Sequence, residues 1–442
     1  MARRIITEFF RFCLRVFYKR IELVGLERLP SGPVIFAVNH PNGLVDPLFL
    51  LCYAPRRVSF LGKAPLFHYP LIGWFARALD SIPVYRRQDD TPGSNREMFE
   101  RSRAVLQGGG AIAIFPEGTT HSDPQLRELK TGVARIALGA KLDELFVVPA
   151  GIYYTAKHIF RSEALLVLGE PIRVTPSTDD DPHILDCGSK AAAFESGGAA
   201  AAVQTVETLT AAIDAGLDSI TLQADSHAAL ELIKRAEDIF TSDERHPLAE
   251  ELELRRRFVD GYHYLRAHDP ERLARLESAV AKLAAELRRA KLAPHELTPR
   301  FELARIVRIV FLLPLAALGT VIHYIPYRLA GVLAKRFSKG EDELVATIKF
   351  LASFALYPIL WIAIAIFVFT RFGIAWAIAS LIALPLLAYV ALRVSEDLDD
   401  VVGDLRGIVS SRDALVRSRD AIRAEIVAVA EELDRRLWSG GL

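Results

Sequence analysis

The fold is decided by the stretch Val34 to Pro47, which reads VIFAVNHPNGLVDP. Its first five residues are an apolar run, which is typical of a buried strand. The strand ends at Asn39, and Pro41-Asn42-Gly43 then favours a turn. Asp46 follows this turn and precedes a second apolar run that is able to begin a helix. The pattern therefore predicts a histidine and a carboxylate at the end of a strand, with a turn between them.

His40 and Asp46 have the chemistry of a general base and its orienting partner. Histidine is the side chain whose ordinary pKa best suits proton removal near neutral pH. A carboxylate bound to one ring nitrogen fixes the tautomer and leaves the other nitrogen able to take a proton. Two interpretations stay open on this evidence: a base that activates a hydroxyl group, or a turn histidine that an aspartate caps.

Four further blocks of sequence accompany this stretch. Ala111 to Phe115 is a second apolar strand that runs directly into PEGTTH, residues 116–121. A third strand, Phe146 to Pro149, ends in the residues AGI. Between the first two strands lie GKAP at 62–65 and SIPVYRR at 81–87. Strands that alternate with helical stretches predict an α/β fold.

In this order and at these separations, the blocks resemble the four motifs of the glycerolipid acyltransferase family, the glycerol-3-phosphate and 1-acylglycerol-3-phosphate O-acyltransferases. The resemblance covers about Glu22 to Ile172 and closes with GEPI at 169–172. It implies an α/β acyltransferase domain. It also implies a membrane-bound enzyme of phospholipid synthesis. Such an enzyme transfers a fatty acyl group from an acyl thioester to glycerol-3-phosphate, or to dihydroxyacetone phosphate, en route to phosphatidic acid.

The spacing between His40 and Asp46 departs from the usual pattern of the family. The family usually has four residues between the histidine and the aspartate, whereas Pro41 to Val45 makes five here. The longer spacing resembles the branch that acylates glycerol-3-phosphate and dihydroxyacetone phosphate. Two alternatives stay open: acylation of 1-acylglycerol-3-phosphate at its second hydroxyl, and a non-catalytic membrane scaffold that kept the fold.

The resemblance also implies which residues bind the substrates. Arg86 stands where the family has its phosphate-binding arginine, and Lys130 where it has a basic residue before a helix. Glu117 is expected to accept a hydrogen bond from a glycerol hydroxyl, and Gly118 to let the backbone come close. The alternatives are that Glu117 caps the following turn and that Lys130 is a solvated charge. The weaker candidates are Asn42, Thr119 and His121.

Composition limits the partners of the protein. The chain has 442 residues and a formal net charge of zero, so nothing predicts nucleic-acid binding. The substrates expected are an acyl thioester donor, acyl-CoA or acyl-ACP, and a phosphorylated glycerol acceptor, without a metal or redox cofactor. Cys13, Cys52 and Cys187 are few and far apart, so they predict neither a disulfide framework nor a zinc site.

The soluble part of the chain divides by its patterns into four segments. Residues 1–20 carry apolar side chains at helical spacing with a basic rim, which predicts a helix at a membrane interface; the alternative is an ordinary amphipathic helix that caps the domain. Residues 21–175 form the acyltransferase domain. Residues 176–203 are polar and rich in Gly and Ala, which indicates a hinge or insertion. Residues 204–300 have helical periodicity and predict a soluble helical region.

The membrane region is predicted over 301–393, since 51% of all residues are hydrophobic and two apolar runs are long enough to cross a bilayer. These runs, 348–370 and 374–392, predict a transmembrane helical hairpin. A shorter run, 309–325, has basic residues on both sides and is interpreted as re-entrant or interfacial. The tail, 394–442, is expected in the cytosol with the catalytic domain. Its apolar spacing predicts either a homodimer through this helix or packing against the helical region.

Overall fold

The computed structural model describes residues 2–68, 70–85, 95–175, 205–241, 247–297, 303–338, 341–409 and 412–439. The chain forms two compact units. The first comprises residues 1–223 with 342–347, and the second comprises residues 224–341 with 348–442. The predicted hinge at 176–203 lies outside the described residues.

The first unit is built on an eight-stranded mixed sheet with the order β1-β7-β6-β2-β5-β3-β4, in which β8 also pairs with β6. The apolar run that opens the deciding stretch is the central strand β2, and all five of its residues are buried. The strands are β1 (Arg20–Val24), β2 (Val34–Val38), β3 (Val58–Lys63), β4 (Ile82–Val84), β5 (Ala111–Ile114), β6 (Leu145–Tyr154), β7 (Glu163–Leu168) and β8 (Ile172–Val174).

The register of the central strands brings their carboxyl ends to one edge of the sheet. β2 runs parallel to both β5 and β6, and Val34 pairs with Ala111 on one side and with Phe146 on the other. The turns that follow β2 and β5 therefore meet at the same edge. β6 is longer than β2 and extends past its end to Tyr154. This edge is where ligands bind in open α/β sheets.

Among the described residues, six helices lie wholly within the first unit, and the side chains of the sheet alternate between its two faces. Ile35 and Ala37 of β2 join a core cluster with residues of the helices on one face. The helices are α1 (Ala2–Phe17), α2 (Val45–Tyr53), α3 (Pro70–Ala78), α4 (Arg96–Gln107), α5 (Gly132–Gly139) and α6 (Val206–Asp218).

The end of the first unit differs from the prediction. The helical region was expected to begin at 204, after the polar segment. Instead, α6 packs on the sheet, with Leu209, Ile213 and Leu217 buried in the same core cluster as Ile35. The boundary between the two units therefore falls after residue 223. A polar segment in a sequence indicates a connection between two elements. Such a connection can lie within a domain as well as between two domains.

α1 presents two different apolar surfaces. Leu14 and Phe17 are buried in the first unit, whereas Ile5 and Phe12 are 61% and 63% exposed. Arg11, one of the basic residues of this helix, donates from Nε to the Cys52 carbonyl at 3.0 Å. One face of the helix thus caps the domain, and contact of the exposed face with a membrane stays a prediction.

The second unit contains a bundle of α7 (His227–Phe240), α8 (Leu248–His268), α9 (Pro270–Ala290) and α13 (Arg412–Ser439). Val280 and Leu283 of α9 share a core cluster with Leu415 and Ile422 of α13. The apolar stripe of the tail is therefore used inside the chain, as one of the two alternatives predicted. A homodimer through this helix stays a prediction.

Three of the described helices are long and apolar enough to cross a membrane, by length and composition, and they belong to the second unit except for residues 342–347. They are α10 (Leu303–Phe337), α11 (Asp342–Phe372) and α12 (Ile374–Val409), and Gly373, with φ 86°, separates the last two. At 309–325 the structure contradicts the re-entrant alternative, whereas the interfacial alternative stays a prediction. This run is part of one continuous helix of 35 residues, and such a helix has no reversal of the kind that a re-entrant segment needs.

α10 and α12 pack against each other in antiparallel directions. Arg308 donates to both carboxylate oxygens of Asp397, at 2.6 and 2.7 Å. Eleven residues further along α10, Gly319 lies against the Leu387 carbonyl, where a Cβ would clash. As the residue number of the contact rises along α10, from 308 to 319, it falls along α12, from 397 to 387, so the two helices run antiparallel. Small residues such as Gly319 allow this close approach of two helices.

Candidate active site

The site begins at the end of β2, which Asn39 fixes against β6. The Asn39 side chain donates from Nδ2 to the Ile152 carbonyl at 3.0 Å and accepts from the Ile152 N–H at 2.7 Å. An asparagine amide carries one donor and one acceptor group, so it reproduces the pairing of a backbone peptide. Residue 40 therefore leaves the sheet at a defined point. Sequence reasoning treated Asn39 only as the end of a strand.

His40 and Asp46 meet across the turn as predicted. His40 Nδ1 lies 2.8 Å from Asp46 Oδ2, and the Asp46 side chain is fully buried whereas that of His40 is 15% exposed. The imidazole also stacks on the Phe115 ring, with centroids 4.1 Å apart. With a proton on Nδ1 directed at the carboxylate, Nε2 carries the lone pair. Among the described residues, Nε2 has no hydrogen-bond partner, so it is the nitrogen able to take a proton.

The extra residue between His40 and Asp46 is absorbed by a turn that the aspartate itself closes. Asp46 Oδ2 accepts the Asn42 N–H at 2.7 Å. Gly43 has a φ of 45°, in the left-handed region that glycine adopts without strain. Asn42, a weaker candidate for substrate binding, is fully buried and donates from Nδ2 to Tyr18 Oη at 3.3 Å. The structure therefore places Asn42 within the support of the turn.

Asp46 has a third partner from a distant part of the sequence. Tyr154, at the end of β6, donates from Oη to Asp46 Oδ1 at 2.7 Å. Burial, followed by the negative charge of Asp46, holds the pKa of Tyr154 well above its usual value. The phenol therefore remains a donor. Sequence reasoning missed Tyr154, because 108 residues separate it from Asp46 and no local pattern connects them.

The turn after β5 holds the backbone of His40. Glu117 Oε1 accepts the His40 N–H at 2.9 Å, and the His121 N–H donates to the His40 carbonyl at 3.3 Å. Glu117 Oε2 accepts the Arg127 N–H at 3.1 Å and also binds His121 Nε2. Both Glu117 and His121 are buried. In the structure these two residues position the base; a contact of Glu117 with the acceptor, or of His121 with either substrate, stays a prediction.

Gly118 and Lys130 are brought together. Gly118 has a φ of 71°, and a Cβ added to it would lie 2.8 Å from Lys130 Cε. The backbone conformation favours glycine at this position, and the flexible end of the Lys130 side chain passes over it. Lys130 is exposed and immediately precedes α5, near the positive end of that helix. Thr119, a weaker candidate, directs Oγ1 towards the Thr120 carbonyl at 3.4 Å.

A second lysine at the site was not singled out from the sequence. Lys157 Nζ donates to the Pro41 carbonyl at 3.2 Å and also to Ser122 Oγ. It therefore connects the turn after β2 with the turn after β5. Arg86, the predicted phosphate ligand, lies outside the described residues. Within the described ranges, no group of three His, Cys, Asp or Glu side chains is arranged to hold a metal ion.

Comparisons with known proteins match both units of the chain. The sequence profile of the acyltransferase family matches residues 20–153, which include the sheet edge described above. The profile described as the C-terminal domain of glycerol-3-phosphate acyltransferase 2 matches residues 232–437.

Individual relatives are similar at modest identity. An uncharacterised acyltransferase of Schizosaccharomyces pombe is 25% identical over 95% of this chain and 79% of its own length. Glycerol-3-phosphate O-acyltransferase 1 of Saccharomyces cerevisiae is 25% identical over 78% of this chain and 58% of its own length. A chloroplastic 1-acyl-sn-glycerol-3-phosphate acyltransferase of Arabidopsis thaliana is 33% identical over 32% of this chain and 38% of its own length. The chain thus spans most of the first relative and little more than half of the second.

Proposed function

We propose that this chain, whose residues 20–153 match the acyltransferase family, is a membrane-bound O-acyltransferase that acylates glycerol-3-phosphate. The observation that carries the chemistry is the contact of 2.8 Å between His40 Nδ1 and the buried carboxylate of Asp46. The acyl donor is a thioester, acyl-CoA or acyl-ACP. The product lies on the route to phosphatidic acid.

In the reaction, His40 acts on the acceptor hydroxyl. Nε2 takes the hydroxyl proton while the oxygen attacks the thioester carbonyl carbon, and a new C–O bond forms. The C–S bond then breaks, and the thiolate that leaves receives the proton back from His40. Asp46 supports the positive charge that His40 carries between these two steps. Atoms and charge balance without a covalent intermediate on the protein.

The choice of acceptor has two kinds of support. The match of residues 232–437 to the C-terminal domain of glycerol-3-phosphate acyltransferase 2 favours glycerol-3-phosphate, as does the five-residue spacing between His40 and Asp46. A phosphate group on the acceptor suits the exposed ammonium of Lys130 beside the start of α5. The acceptor 1-acylglycerol-3-phosphate is the second candidate, because the Arabidopsis relative that carries this name has the higher identity, 33%.

The test is an acceptor panel with purified protein in liposomes. Glycerol-3-phosphate, dihydroxyacetone phosphate and 1-acylglycerol-3-phosphate are each offered with acyl-CoA and with acyl-ACP, and the products are identified by mass spectrometry. We expect acylation of glycerol-3-phosphate. Acylation of 1-acylglycerol-3-phosphate alone would establish the second candidate. A folded protein that acylates none of the three would be a scaffold.

The three long apolar helices mark the chain as a membrane protein. We further propose that the hairpin of α11 and α12 crosses the membrane and that residues 20–153 and the tail face the cytosol. The antiparallel contact of α10 with α12 argues against three consecutive crossings, because these would make the two helices parallel. Residues before α10 and after α12 would then lie on one side.

Cysteine labelling tests this arrangement, after the three native cysteines have been replaced. A membrane-impermeant reagent applied from outside should label a cysteine at Gly373. It should not label a cysteine at Lys339 or at Asp404. Labelling at Asp404 from outside would show three crossings and contradict the proposed topology.

A further inference from the structure

The Asp46 carboxylate is the least accessible part of the active site, and its surroundings determine how it acts on His40. It is fully buried and has three partners at 2.7 or 2.8 Å: His40 Nδ1, the Asn42 N–H and Tyr154 Oη. A buried ionised carboxylate is strongly destabilised unless donors satisfy its oxygens. The imidazole and the Asn42 N–H share Oδ2, so Tyr154 is the donor on Oδ1.

Tyr154 is itself held rigidly. Its ring stacks on Tyr18, with centroids 5.5 Å apart and an interplanar angle of 29°, and meets the edge of Phe49 at 5.7 Å. Tyr18 and Phe49 are also buried. Its backbone is part of β6, which pairs with β7 through Ala164. Because both the ring and the backbone of Tyr154 are held in place, the position of its hydroxyl group is fixed, as a residue that positions a catalytic group requires.

We propose that Tyr154 is a positioning residue for the His40–Asp46 pair. Its hydroxyl holds Oδ1 so that Oδ2 faces His40, and it withdraws part of the carboxylate's negative charge from the imidazole. This proposal rests on the proposed function, since it assumes that His40 is the base. It assigns to β6 a role in the chemistry that neither the motifs nor the comparisons give to it.

The charge argument predicts a direction for the pH dependence. A carboxylate that loses a hydrogen-bond donor holds more negative charge against the imidazolium, which raises the pKa of the histidine. The acidic limb of kcat/KM against pH reports the base of the free enzyme. Removal of the Tyr154 hydroxyl should therefore move this limb to higher pH. The other titratable or charged side chains around the pair are those of Tyr18, Glu117, His121 and Lys157.

The experiment compares Tyr154→Phe with Tyr153→Phe in the full-length protein. Tyr153 is the next residue on β6 and its side chain points to the opposite face of the sheet, so it is a matched control. We expect Tyr154→Phe to lower kcat by about 10-fold to 100-fold, the range expected for a hydrogen bond to a charged group. The KM for the acceptor should change little, and the acidic limb should move upwards. Tyr153→Phe should leave all three quantities unchanged.

A double-mutant cycle separates a positioning role from a general structural one. In an Asp46→Asn background, the Tyr154→Phe change should lower kcat by less than twofold, because the negative charge on which Tyr154 acts is absent. An equal loss in both backgrounds would overturn the proposal. So would an unchanged kcat and an unchanged acidic limb in Tyr154→Phe with an active wild type. An inactive wild type would contradict the proposed function and the inference together.

A second variant guards against a folding defect. Incorporation of 3,5-difluorotyrosine at position 154 keeps the shape of the ring and makes the phenol a stronger donor. The acidic limb should then move to lower pH, opposite to the shift in Tyr154→Phe. A shift of the acidic limb in the same direction in both variants would overturn the proposal. Such a result would indicate a packing defect, which does not depend on the donor strength of the phenol.

Discussion

The sheet edge of the first unit and the helical bundle of the second each contain a buried pair of ionisable side chains. At the sheet edge, Asp46 binds His40. In the bundle, Glu237 of α7 accepts a hydrogen bond from Arg255 Nε of α8. Asp46 and Glu237 are 0% and 2% exposed. By burial alone, the two carboxylates are equivalent.

The difference lies in the second member of each pair. His40 keeps 15% of its side chain exposed, and its Nε2 faces no described partner, so a substrate hydroxyl can reach it. Arg255 is only 6% exposed, so the bundle pair is closed to substrate. Burial disfavours the charged form of both groups, because it raises the pKa of the Glu237 carboxyl and lowers the pKa of the Arg255 guanidinium. A buried charge becomes a candidate catalytic group when its partner opens to solvent.

The largest effect is expected for His40→Ala. Loss of a general base lowers the rate by about 10²-fold to 10⁴-fold, and the described residues around Asp46 offer no second imidazole on the same oxygen. His158, an exposed histidine of the first unit, is the matched control. The measurement is kcat with the preferred acceptor, beside a thermal unfolding curve in detergent. A His40→Ala variant that retains activity within a few-fold of the wild type would contradict the mechanism.

The bundle pair should respond in the opposite way, with a loss of stability and no loss of chemistry. Glu237→Ala leaves Arg255 buried without its carboxylate, which costs about 3–5 kcal/mol of unfolding free energy. The double replacement Glu237→Leu with Arg255→Met should recover most of this loss, since an apolar pair of similar volume is often neutral or stabilising. Denaturant unfolding measures the unfolding free energy of the single variant and of the double variant. A lower kcat in the folded double variant would mean that the bundle takes part in catalysis.

Sequence patterns predicted β2, β5, the first half of β6, the turn and the placement of His40 beside Asp46, because these features depend on residues close together in the chain. They could not predict Tyr154 or Lys157, which reach the site from β6 and the loop after it. The same limit applies in the bundle, where helical periodicity over 204–300 indicated helices but not the Glu237–Arg255 contact. The assignment of α6 to the first unit was missed for a related reason. The apolar spacing of a helix does not show on which part of the protein the helix packs.

Arg86→Ala should act on acceptor binding and leave the chemical step intact. The resemblance implies that Arg86 binds the phosphate before and during the reaction, and loss of such a uniform contact raises KM and leaves kcat nearly unchanged. We expect a rise in the acceptor KM of about 10-fold to 30-fold, within the range of hydrogen bonds to charged groups. Arg87→Ala is the matched control and should change KM by less than threefold. A fall in kcat alone would show that Arg86 does not hold the phosphate.

The smallest effect is expected at an exposed pair with the same separation as the catalytic one. Arg257 Nη2 lies 2.8 Å from Asp434 Oδ2, but both side chains are more than half exposed. Water and salt screen such a pair, so Arg257→Ala should cost at most about 1 kcal/mol, and less at high ionic strength. Denaturant unfolding at low and high salt measures this, with Asp434→Asn as the reciprocal variant. A loss as large as that of Glu237→Ala would mean that distance, rather than burial, sets the value of a pair in this protein. With the expected result, His40 and Asp46 owe their importance to the buried carboxylate and its donors, because the distance of 2.8 Å is common to both pairs.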